Sequence, residues 1–183
     1  MAPLTNPLRL EVHKRLSAAL REITPANGYV SDFSGAEGST DNKVFRGRAV
    51  FGAKDPLPMI SILEVPIPID QRPPPGDSTY SSGGWELMIQ GFAVDDRENP
   101  TDPAHVMLAD VKKRLAKERK KLSWGPAAGP SAGVFGLGRS ITNMKLGPGV
   151  VRPPDEVSAK AYFWLTIELE LVEDLEDPYQ AAS

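Results

Sequence analysis

The 183-residue chain contains no cysteine and only two histidines. Without cysteine it can form no disulfide, no thiolate metal site and no thiol nucleophile, a composition that suits a reducing folding compartment. His13 and His105 lack further histidines at ligand spacing, so any metal site would need carboxylates brought in from elsewhere. Excess charge of one sign is also scarce. Twenty-one basic and 24 acidic side chains leave a formal charge of −3, too little to claim nucleic acid or a membrane as partner. No apolar run approaches the roughly 20 residues that cross a bilayer. The opening residues show no basic region followed by an apolar stretch, and no secretory leader is expected. A Gly-x-Ser-x-Gly elbow is missing as well, which weakens a hydrolase reading; a Ser-His-Asp arrangement assembled only in three dimensions stays open.

What is present is ordinary for a globular protein: 40% hydrophobic and 25% charged residues, in a length that suits one domain over 1–183. Proline is the exception, at 18. Pro56, Pro58, Pro66, Pro68, Pro73, Pro74 and Pro75 crowd one region, and proline cannot donate to a sheet ladder. Residues 65–84 therefore read as a long extended arm, opening on Pro66-Ile67-Pro68-Ile69 and closing on a hinge of Ser81, Ser82, Gly83 and Gly84. Loops of this length in compact domains are functional or disordered.

Two segments have helical spacing. Over 7–23, Leu8, Val12, Leu16, Leu20 and Ile23 form one apolar stripe, and Asn6-Pro7 reads as a cap followed by a proline at the first helical position. Asp102-Pro103 repeats that start, and Ala104, Leu108, Val111 and Leu115 follow at the same period. Strands are read at 44–51, 59–64, 85–95 and 140–146, and over the alternation Phe163, Leu165, Ile167, Leu169, Leu171. Two helices set apart from sequential strands argue for an α+β fold: a mostly antiparallel sheet, two helices packed on one face, and long extended loops or arms. The tail, 173–183, is acidic and expected to fray.

The candidate chemical motifs have plainer accounts. The run Gly133-Val134-Phe135-Gly136-Leu137-Gly138 matches neither a dinucleotide fingerprint nor a Walker motif and reads as a flexible connector. Asp95 to Asp102 offers oxygen ligands without the spacing of an EF-hand, and reads as a turn and helix cap. The basic residues Lys112, Lys113, Lys117, Lys120 and Lys121 could meet phosphates, but they suit the negative end of a helix dipole better. No catalytic residue, cofactor or metal is expected.

Taken in order, the helix from Leu8 to Ile23, the strands Val44–Arg48 and Pro58–Ile62, the strand Leu87–Phe92, the helix from Ala104 to Lys112 and the final strand to Leu171 form a pattern. It resembles the tail-terminator, or tail-completion, proteins of long-tailed bacteriophages, of the lambda-like minor tail protein U kind. The likeness covers most of the chain and lies in element order; the Pro-rich insertion and acidic tail depart from it. It implies a virion subunit, assembled in the host cytoplasm, that forms a homo-oligomeric, hexameric ring. Such a ring caps the tail tube protein, stops tube polymerisation and joins a neck or head-connector protein. Genomic DNA would pass through without specific binding, and no membrane is involved. Partner contacts are expected at Pro66, Ile67, Pro68, Ile69, Tyr80 and Trp164. Another neck or baseplate component, or a small enzyme, remain the alternatives.

Overall fold

The computed structural model describes residues 3–52, 55–65, 71–72, 76–122, 132–156 and 158–182. Among these residues, helices α1 (Leu8–Arg21) and α2 (Asp102–Arg119) accompany seven strands. These are β1 (Val44–Arg46), β2 (Met59–Glu64), β3 (Gln71–Arg72), β4 (Tyr80–Phe92), β5 (Ile141–Leu146), β6 (Val150–Arg152) and β7 (Tyr162–Asp174). The sheet runs β1-β2-β4-β7-β5, with β3 also on β4 and β6 also on β7. Only β1 and β2 are parallel; every other pairing is antiparallel. The chain has the α+β architecture its pattern calls for, and both helices pack on the sheet.

The spine is β4 against β7, paired without interruption from Tyr80–Asp174 to Phe92–Tyr162. Side chains alternate across a strand, so Trp85, Leu87 and Ile89 share a face with Leu165, Ile167 and Leu169, and with Ile60 and Ile62 of β2. The helices cover this face. Leu8, Val12, Leu16 and Leu20 of α1 and Ala104, Met107, Val111 and Leu115 of α2 join those strand residues in one buried cluster. Burying each such aliphatic side chain contributes about 1.5–3 kcal/mol, which is why periodicity alone located both helices.

The helix starts differ from expectation. Thr101 is the N-cap of α2, and Asp102 and Pro103 are already helical; Pro7 caps α1, and neither cap residue bonds through a side chain. Asn6 instead donates to Glu11 (2.9 Å) and accepts from Lys14 (3.0 Å). The amide of Leu8, an orphan donor of the first turn, is taken by the carbonyl of Pro178 at 2.9 Å.

That contact corrects the frayed tail. Glu173 and Asp174 belong to β7, Leu4 donates to Tyr179 at 2.7 Å, Ala182 donates to Ser140 at 2.7 Å, and Ala181 is buried. The strand expected over 44–51 stops at Arg46, because Gly47 turns out of the ladder at φ +67°. The arm is shorter than expected too. Its closing hinge, Ser81 to Gly84, lies inside β4, where strand pairing on both sides fixes it. The three-residue strand β6 has no sequence signal of its own; it exists because β7 extends past β5 and can be paired there.

The glycine-rich segment is no flexible connector over its described part, 132–138. Val134, Phe135 and Leu137 are buried. Glu118 accepts from the Phe135 amide (3.1 Å), and Arg15 donates to the carbonyls of Phe135 (3.0 Å) and Gly136 (2.9 Å).

Candidate functional site

The sheet's second face is where the molecule has surface to offer. Gln90, Met88 and Glu86 of β4 and Trp164, Thr166 and Glu168 of β7 point there and are all partly exposed. Glu86 stands directly opposite Glu168, a pairing of like charges that costs stability. Lys145 of β5 offsets it with an ion pair to Glu168 at 2.9 Å.

At one end of this face the chain builds a cavity. Beyond Gly47 the backbone folds over the sheet, where Ser61 donates to the carbonyl of Arg48 at 2.6 Å and Asp55 pairs with Arg48 at 2.5 Å. The Arg48 guanidinium lies over Phe45 (4.7 Å) and Phe51 (5.1 Å). Phe51 meets Phe92 at 4.7 Å between ring centroids, and Phe92, Tyr162 and Trp164 continue the aromatic row. Together with Met59 these form a second apolar cluster, separate from the main core. Over it opens a cavity of about 660 Å³, floored by Met59, Phe92 and Gln90 and walled by Val50, Phe51 and Ala159. Its size and its apolar lining with a few polar groups fit a binding pocket. Val50 at its edge is 82% exposed.

Of the expected contact residues, the two that are described stand apart. Tyr80 and Trp164 share the second face but stand at opposite ends of β4 and β7. Tyr80 is exposed, whereas Trp164 is half-buried in the aromatic row. Pro66, Ile67, Pro68 and Ile69 lie outside the described residues. The pocket itself escaped sequence reading. Phe45 and Phe51 read as residues of one strand about 20 Å apart; in fact the chain turns after Gly47 and brings their rings to 6.4 Å.

The histidines differ from each other. His105 is exposed on α2. His13 is buried on α1, edge-on to Trp85 at 5.2 Å, with Nε2 at 3.2 Å from Glu64. It thus has a partner that spacing did not reveal. Burial holds its pKa below the ordinary value, Glu64 opposes that shift, and Arg46 reinforces it. This pair lies on the helix-covered face and the pocket on the other. Among the described residues no group of three His, Asp or Glu is placed to hold a metal ion, and no described helix is long and apolar enough to cross a membrane.

The basic run of α2 is largely engaged with protein. Lys112 donates to the carbonyl of Pro148 and Lys113 to that of Gly28, both at 2.7 Å. Lys113 and Lys117 sit over the Tyr29 ring, and Lys121 pairs with Glu118.

Fold and surface together define an α+β protein with one sheet face covered by helices and the other partly exposed. No protein-family model matches the chain, and no curated protein matches it.

Proposed function

We propose that this chain is a structural subunit of the tail-terminator type, which closes into a ring at the end of a phage tail tube and there meets neck or connector proteins. The observation that carries this reading is the one-sided sheet. Both helices bury one face, while the long β4–β7 pair leaves the other available along its length, with an apolar pocket at one end. A surface of this kind suits assembly, in which extended faces and protruding edges meet copies and neighbours. The element order read from the sequence, on which the resemblance rests, recurs from α1 to β7 apart from the short β3 and β6, and supports the same reading. Its action would be steric: a ring that ends polymerisation by occupying the tube's growing end.

Native mass spectrometry with negative-stain imaging of the purified chain tests this directly. A closed ring, hexameric by the family analogy, is the expected result, and a labelled subunit should then appear at the head-proximal end of tails in assembled particles. A chain that stays monomeric at high concentration and is missing from particles would remove the reading.

A further inference from the structure

We infer that the pocket on the open sheet face receives the Pro66-Ile67-Pro68-Ile69 segment of a second copy of this chain. The inference deepens the assembly reading above and rests on it for its consequence, though not for its test.

The pocket has the character of a proline-rich docking groove. Such segments enter grooves lined by aromatic side chains, and their backbone is stiff before binding, so little entropy is lost. Here Phe51 and Phe92 line the cavity, Met59 and Leu57 add apolar floor, and Gln90 supplies an amide for a backbone carbonyl. The chain itself carries the complementary sequence, two isoleucines alternating with two prolines. Val50, 82% exposed, stands at the rim.

The occupant must come from another copy, because the segment's attachment points are too far away. Val65 donates to the carbonyl of Glu86, and Gln71 pairs with Gly83. From Glu86 to Phe92 on the pocket floor, β4 spans about 20 Å. The five residues joining those anchors have too little contour length to reach that floor and return. They also leave from the end of β2 opposite Met59, which lines the pocket. Donor and acceptor therefore sit at different ends of the subunit. Contacts between unlike ends are heterologous, and repeat until a ring closes or a filament grows. On this inference the arm-into-pocket contact is the joint between neighbouring subunits.

The test uses the full chain with Ile67→Asp and Ile69→Asp, which silences the arm and leaves the pocket free. A synthetic peptide spanning residues 64–72 is titrated against it while methyl resonances of Met59, Ala49 and Ala159 are followed. Saturable shifts at these methyls are expected, with affinity at least about tenfold weaker when the exposed rim is blocked by Ala159→Trp or Val50→Glu. Circular dichroism checks that both rim variants remain folded. No shift, a shift that the rim variants leave unchanged, or equal binding of a scrambled peptide would overturn the inference. Sedimentation of mixtures gives an independent readout. The arm-silenced chain and the Ala159→Trp chain should each be monomeric alone yet pair as a heterodimer when mixed. If folded Ala159→Trp assembles like the parent, this joint is wrong while the ring reading stands. If the parent chain assembles through this pocket without closing a ring, the contact is supported and the ring reading fails; a parent chain that never assembles overturns the inference.

Discussion

Gly91 of β4 faces Phe163 of β7 across the ladder, and the phenyl ring lies where a β-carbon on Gly91 would have to go. The close approach of ring to backbone needs glycine here for space rather than for an unusual dihedral. Gly91→Ala should cost about 1–3 kcal/mol as an overpacked core position, measured by urea unfolding. Combining it with Phe163→Leu should recover part of that loss; a neutral single variant would show that the ring has room to move. His13 is the other residue with a distinct signature. Trp85 of β4 flanks its ring, Glu64 of β2 and Arg46 of β1 supply the nearby charges, and Arg9 of its own helix lies over the same indole. Burial lowers its pKa from 6.5, so the neutral ring is favoured in the folded state while the unfolded chain takes a proton more readily. Its contribution is then complete above pH 6.5 and is lost as pH falls through the lowered folded value. His13→Gln should flatten the stability curve as pH falls below 6.5. An unchanged slope in that window would contradict the assignment.

At the scale of elements, α1, α2 and the 132–138 segment are tied by one buried network. Arg114 donates to the Ala19 carbonyl of α1 (3.1 Å) and pairs with Glu118 (2.8 Å), which also receives the Phe135 amide. Burial alone would raise the Glu118 pKa; hydrogen bonds from Lys121, Arg114 and Phe135 overcome it and hold the carboxyl below its ordinary value. Glu118→Ala leaves Arg114 with Glu22 (2.9 Å) as its remaining carboxylate, strands the Phe135 amide and should cost roughly 1–3 kcal/mol. Arg114→Met with Glu118→Leu should regain most of this, since paired apolar replacements are often neutral. If the single variant is mild, water reaches this network. On the sheet side, Leu165 of β7 is fully buried in the main cluster, opposite Ile89 of β4. Leu165→Ala should cost roughly 2–5 kcal/mol by chemical denaturation. A loss well under about 1 kcal/mol would mean that the core lies on the other face.

Across the whole molecule, the two chain ends are joined. The segment from Pro178 to Ala182 accepts from Leu4 and Leu8, donates to Ser140 and buries Ala181, so the last residues complete the first turn of α1. Removing residues 178–183 should cost about 1–3 kcal/mol, because buried donors lose their partners. A frayed tail would instead be worth within about 0.5 kcal/mol, the range of a neutral surface change, and calorimetry of the truncated chain separates the two.

Periodicity in the sequence determined most of the main core. The stripes of α1 and α2 and the alternation of β4 and β7 are local signals that name their buried side chains, whereas Phe33, Val134, Phe135 and Leu137 are buried without one. The fold class followed, since elements with one apolar face must stack that face on another. Tertiary structure decided the rest. Whether Tyr80 to Gly84 is hinge or strand depends on β3 and β7 lying alongside. Whether His13 has a partner depends on where β2 ends. The order of the tail rests on orphan amides at α1, and the pocket exists because the chain after Gly47 returns Phe51 to the face that carries Phe45 and Phe92. Each joins residues far apart in the chain, and no local pattern encodes which distant group will arrive.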